Sequence, residues 1–281
     1  MVCSRMTFES SPSAGQPAQG HGSLLVLAAL ALLVGTAAGG VGALFRIALE
    51  HADQWRNDLI TWAHNEGFAG FLLVVMACTT APLFAAWLVR HVSPYASGSG
   101  IPHVEAVLRE EIPQAPFHLI WVKFIGGLLA IGSGLALGRE GPSVQMGASV
   151  ALLVGRVFRR NWADCRVLFA AGAGAGLATA FNAPIAGAVF VLEELVRRFE
   201  PHIAIAAVGA SATAIAVARL FLGDSADFYV DALAYPRAEA KPLFFVLGAL
   251  AGFLAIAYNR SILGAIALVD KVPRPPSGVQ Q

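Results

Sequence analysis

Apolar residues are gathered into runs at positions 23–45, 68–89, 117–138, 141–155, 167–192, 203–222 and 242–269. A helix rises about 1.5 Å per residue, so roughly 20 apolar residues cross a hydrocarbon layer of about 30 Å. Runs of that length are predicted to be membrane-crossing helices. The run 141–155 is short for a crossing, and 167–192 is interrupted by Asn182-Ala183-Pro184. Broken backbone is tolerated at membrane depth only where protein or a water-filled cavity receives its free polar groups. Two such segments in succession point to a transport site rather than a simple anchor.

Composition agrees. Of 281 residues, 57% are hydrophobic and 13% charged, with a mean hydropathy of +0.66. A soluble domain carries about 45–50% apolar and about 25% charged residues. That excludes a soluble enzyme, a nucleic-acid binder and a disordered scaffold. Lys and Arg number 19 against 18 Asp and Glu, a net charge of +1, which provides no polybasic or acidic tail to steer a macromolecule. Cys3, Cys78 and Cys165 form no CxxC and no zinc spacing. No cofactor, metal or enzymatic chemistry is implied.

Residues 1–22 are polar and punctuated by Ser, Gly and Pro, which predicts a disordered cytoplasmic tail. Leu24 to Val34 followed by Ala37-Ala38-Gly39 resembles a cleaved leader. The long preceding segment, with Arg5 its one basic residue, and an apolar run that continues to Phe45 favour a helix. A glycine pattern, Gly35-x3-Gly39-x2-Gly42-x2-Phe45, returns as Gly248-x3-Gly252-x2-Ala255-x2-Tyr258. Small residues four apart suit close helix packing, so convergent composition is one explanation. The other is an internal repeat: 23–222 as a first unit, 242–270 as the opening helix of a second that is largely missing, and 271–281 as a polar tail. Arg197 and Arg198 on one side, and Lys271 and Arg274 on the other, place both basic ends in the cytoplasm of the cell (inner) membrane. The acidic loop between them (Asp224, Asp227, Asp231, Glu239) fits, although Arg237 and Lys241 weaken the argument.

Candidate chemistry lies at Gly98-Ser99-Gly100-Ile101-Pro102 and Gly138-Arg139-Glu140-Gly141-Pro142. Proline belongs in the first turn of a helix, and glycine lets backbone approach a ligand. A helix start offers free N–H groups and the positive end of a dipole, both suited to an anion. Ser99 adds a hydroxyl without a fixed charge, so an ion can bind and still leave. Arg139 and Glu140 are either a charged turn at the membrane surface or the core of the site, with Glu140 as an anion mimic that leaves when protonated. In Phe181-Asn182-Ala183-Pro184, one helix ends and another begins. Glu193 and Glu194 precede Arg197 and Arg198 by four residues, which suggests interfacial ion pairs. Lys123, the lone charge of its run, is expected to snorkel, and Gly172 and Gly176 to form a helix contact.

Together, GSGIP at 98–102, GREGP at 138–142 and FNAPIAGAVFVLEEL at 181–195 resemble the CLC family of chloride channels and chloride/proton antiporters. Order and spacing match, and the resemblance runs from about residue 24 to 270. It implies an all-α membrane fold of two inverted repeats with broken, re-entrant helices. It also implies a homodimer in which each subunit holds its own ion path. By matching positions, Ser99 resembles the serine on the central anion and Glu140 the gating glutamate. Backbone around them (Gly100, Ile101, Arg139, Gly141) would complete the anion sites. Glu194 resembles the internal proton-transfer glutamate of antiporters, with Glu193 one place away; channel members usually carry an apolar residue there. Serine in GSGIP fits chloride, whereas proline marks nitrate-preferring relatives. The family's later G-x-F-x-P motif and its inner tyrosine have no counterpart. The expected activity is chloride/proton antiport; the alternatives are an uncoupled chloride channel and a non-transporting chain that associates with membrane partners.

Overall fold

Glycine, serine and proline set where the helices stop, and they do so differently from the apolar runs. A computed structural model describes residues 24–223 and 241–271. Its helices are α1 (Leu24–Asn65), α2 (Gly67–Val92), α3 (Ile101–Leu108), α4 (Leu119–Gly132), α5 (Glu140–Val157), α6 (Trp162–Phe181), α7 (Pro184–Phe190), α8 (Pro201–Leu222) and α9 (Lys241–Asp270). A 3₁₀ turn at Pro94–Ala96 precedes α3, and a π-turn at Val191–Val196 extends α7. No strand occurs among the described residues.

The first apolar run ends at Phe45, yet α1 continues for 42 residues in all. Residues 46–65 contain no glycine or proline, and ion pairs Arg46–Glu50 (3.3 Å) and Asp53–Arg56 (2.7 Å) fall at helical spacing. The run 117–138 behaves in the opposite way. Only Leu119–Gly132 is helical, because Gly132-Ser133-Gly134 ends the helix, with Gly134 at φ +95°. At 14 residues α4 is shorter than a crossing helix. Among the described residues, four helices are long and apolar enough to cross a membrane: Leu24–Asn65, Gly67–Val92, Pro201–Leu222 and Lys241–Leu268.

The described residues form two units, 24–223 and 241–271. In the first, α6 is buried on every side from Val167 to Ala180, as expected of a helix without a polar face. It meets α5 backbone to backbone: a Cβ on Gly147 would lie 2.2 Å from the Gly172 carbonyl oxygen, and one on Gly176 2.1 Å from that of Ser143. The expected helix contact of Gly172 and Gly176 is therefore real. α1 closes on α8 in the same way, with Gly35 and Gly39 against the backbone of Ala210 and Ala214. Outward, α2 presents Phe71, Leu72, Met76, Leu83 and Trp87, a surface suited to lipid tails. The second unit is α9 alone; a Cβ at its echoed glycines, Gly248 and Gly252, would meet open space. The tails 1–22 and 272–281, with Cys3 and Arg274, lie outside the described residues. So does the loop 224–240 with Asp224, Asp227, Asp231, Arg237 and Glu239, on which the orientation argument draws.

Candidate functional site

Between α2 and α3 the backbone at 93–100 leaves the helical ladder, so its carbonyl groups need other donors. Two side chains beneath it supply them. Lys123 of α4 donates from Nζ to the Ala96 carbonyl (2.9 Å) and the Gly98 carbonyl (2.8 Å). Gln145 of α5 donates from Nε2 to the Tyr95 carbonyl at 2.8 Å. Lys123 is 5% exposed and Gln145 1%. The snorkelling expected of Lys123 is thus wrong. α4 runs under the loop, and satisfied carbonyls hold the ammonium there more favourably than a longer reach to water. Because a trans peptide sets C=O and N–H on opposite sides, pinning the Gly98 carbonyl turns the Ser99 N–H away from Lys123. Gly98 (φ +66°) and Gly100 (φ +98°) take left-handed conformations that favour glycine. Gly100 caps α3, Ile101 is its first residue and Pro102 lies in the first turn.

The second motif starts α5 at Glu140, two residues before the expected Pro142. Pro142 fits because the first-turn N–H groups have no intrahelical acceptor. Arg139 caps this end, and its carbonyl accepts from the Ser143 N–H (3.1 Å) and hydroxyl (2.8 Å). Gly141 abuts Ser99: a Cβ there would lie 2.2 Å from the Ser99 carbonyl oxygen and 2.5 Å from its Oγ. Glu140, half-buried, folds its carboxylate back over Gly138, with Oε2 2.0 Å from where a Cβ on that glycine would sit. Ser99, Gly100, Ile101, Arg139, Glu140 and Gly141 therefore lie together where the N-termini of α3 and α5 meet. Two positive helix ends, the N–H groups of their first turns and a hydroxyl favour a small anion at this place.

Glu193 and Glu194 lie elsewhere. α6 ends at Phe181, Asn182 adopts a left-handed conformation (φ +52°, ψ +37°), and α7 restarts at Pro184. The π-turn that follows holds both glutamates, and both are exposed. The expected pairing of Glu193 and Glu194 with Arg197 and Arg198 does not form. A π-turn bonds i to i+5, so residues four apart no longer share a face, and Arg197 turns left-handed (φ +56°). Arg197 instead pairs with Glu105 of α3 at 3.1 Å and donates from Nε to the Glu194 carbonyl at 3.2 Å. Arg198 pairs with Glu200. A cavity of about 470 Å³ opens beside this turn, lined by Arg109, Glu110, Arg166, Arg197 and Arg198. Burial pushes the Glu200 carboxyl upward, but Arg166 and Arg198 outweigh it and hold its pKa below the usual carboxylate range. Among the described residues no cluster could hold a metal ion.

Sequence reasoning missed Gln145 and the pairing of Glu105 with Arg197. A lone amide within Ser143-Val144-Gln145-Met146 was the available signal for the first; a left-handed arginine leaves no pattern.

The voltage gated chloride channel family model matches residues 81–278. An H(+)/Cl(-) exchange transporter, ClcA of Vibrio cholerae, is 39% identical over 252 residues, 87% of this chain and 53% of that protein. ClcA of Salmonella arizonae is 36% identical over 85% of this chain and 51% of its own length. Among solved structures, a slow cyanobacterial Cl⁻/H⁺ antiporter superposes with a TM-score of 0.81 at 31% identity, over 91% of this chain and 60% of that one. The chain spans about half the length of the curated relatives it matches. Motifs, helical fold and family match agree: the chain belongs to the voltage gated chloride channel family.

Proposed function

We propose that this chain handles chloride and protons in antiport across the cell's inner membrane, as one subunit of a homodimer. The observation that carries the reading is the contact of Ser99 with Gly141, which joins two helix N-termini into one anion-favouring place beside a carboxylate. Chloride takes the Ser99 hydroxyl and the N–H groups around Gly100, Ile101, Arg139 and Gly141. Glu140, anionic and folded over Gly138, competes for the same positive helix end. Chloride and the Glu140 carboxylate therefore exclude each other from this place, and movement of the carboxylate off Gly138 opens it. Glu194, exposed beside the arginine-lined cavity, takes up protons from the cytoplasmic side, with Glu193 next to it. The related exchange transporters support the substrate pair.

The test reconstitutes the full chain in liposomes and records chloride-driven proton uptake. Glu140→Ala should abolish proton movement, and Glu194→Leu should stop protons while sparing chloride. Equal proton uptake in wild type and Glu140→Ala would reject the gating role.

A further inference from the structure

We infer that Arg197 is a positioning residue for proton transfer, which ties Glu194 to the helix whose opposite end carries Ser99. The inference rests on the antiport reading above.

Arg197 ends the π-turn with a left-handed backbone without being glycine, as Glu110, Arg159 and Asn182 do elsewhere among the described residues. Such a conformation is disfavoured for a residue with a Cβ and persists only where surrounding contacts hold it. Two contacts do. Its Nε returns to the Glu194 carbonyl at 3.2 Å and closes the π-turn from its own C-terminus. Its Nη2 reaches Glu105 at 3.1 Å. Glu105 is shared with Arg109 at 2.5 Å, so it is held from its own helix as well. The segment bearing Glu194 is thereby moored to α3.

α3 is eight residues long, about 12 Å from end to end. Its N-terminal end is equally fixed, by Lys123 and Gln145 beneath the loop that presents Ser99. A helix this short moves as a rigid rod, so a displacement of the Ser99 loop reaches the Glu105–Arg197 pair undiminished. The pair is partly exposed, at 23% for Glu105 and 59% for Arg197. It therefore adds little to stability. Its value lies in where it holds Glu194.

The experiment uses the full chain with Arg197→Gly, Glu105→Gln, their combination and Asp53→Asn. Glycine is the residue the left-handed position favours, so Arg197→Gly keeps the turn while removing both hooks. In liposomes, Arg197→Gly and Glu105→Gln should each lower the number of protons moved per chloride by roughly two- to five-fold, the range expected of an exposed ion pair. The double variant should be no worse than the more severe single, because both cut one link. Asp53→Asn cuts an exposed ion pair on α1, Asp53–Arg56, and should leave the ratio unchanged. A ratio unaffected by Arg197→Gly, additive losses in the double variant, or an equal loss in Asp53→Asn would overturn the inference. A second measurement is independent of transport. Hydrogen–deuterium exchange across 191–197 should accelerate several-fold in both single variants, and unchanged exchange would overturn the inference even if proton flux fell. A wild-type chain that moves no protons would instead reject the antiport reading, and exchange would still decide whether Arg197 moors the Glu194 turn.

Discussion

Gly141→Ala adds one methyl group at the point where the two helix ends meet, and its effect can be worked from geometry. The new Cβ would lie 2.2 Å from the Ser99 carbonyl oxygen and 2.5 Å from Oγ. Ordinary contact begins near 3.4 Å, so the Ser99 backbone must retreat by about 1 Å. Retreat is resisted, because Lys123 and Gln145 hold the carbonyls of residues 95, 96 and 98. Overpacking of this kind costs about 1–3 kcal/mol. A hydrogen bond from the Ser99 hydroxyl to an anion, itself a bond to a charged group, contributes about 1.5–3 kcal/mol. Its loss would weaken chloride binding roughly ten- to a hundred-fold, at about 1.4 kcal/mol per factor of ten. Isothermal titration with chloride, together with thermal unfolding in detergent, measures both effects. Gly40→Ala is the control, since a Cβ there meets nothing within 4 Å; it should bind chloride as wild type does and unfold at the same temperature or slightly higher. Wild-type affinity in Gly141→Ala would refute the claim that the two motifs form one site.

Two further outcomes are expected. Lys123→Met keeps the length of the side chain but leaves the Ala96 and Gly98 carbonyls without this donor, at a cost of about 2–6 kcal/mol for the two acceptors; unfolding in detergent reads the loss, and chloride affinity should fall with it. Glu200 has a lowered pKa, so its contribution to stability is present above the ordinary carboxylate pKa and is lost as pH falls through the lowered one. Glu200→Gln should therefore be less stable than wild type at neutral pH and converge with it in acid, a difference read from unfolding midpoints across a pH series.

Much of the site was legible because its parts are local. A glycine-bounded serine before Ile-Pro predicts the start of α3, and Asn182-Ala183-Pro184 predicts the break between α6 and α7, since each depends on backbone preferences within a few residues. The small-residue spacing of Gly172 and Gly176 likewise predicted a close helix contact, and α5 is the partner. What failed involved distant partners or unusual turns. Lys123 resembled any terminal lysine until α4 passed beneath the Ser99 loop. The four-residue spacing from Glu193 and Glu194 to Arg197 and Arg198 assumed an α-helix, and the π-turn removed that premise. The length of α1 depended on a mixed polar stretch, 46–65, whose ion pairs continue a helix that hydropathy alone would end.

The helix at the centre of the first unit has a further consequence. Through Ala170–Ala171–Gly172–Ala173–Gly174–Ala175–Gly176 it is built from residues without side-chain torsions that can rearrange. Ala and Gly give up no rotamer entropy on burial, and the cost of ordering this region lies in its backbone, most of all at its three glycines. It also has no alternative packing to adopt by exchanging side-chain conformers. A shape change within this unit must therefore occur as displacement of entire rods or as rearrangement at their tips, with the middle of α6 serving as a fixed frame.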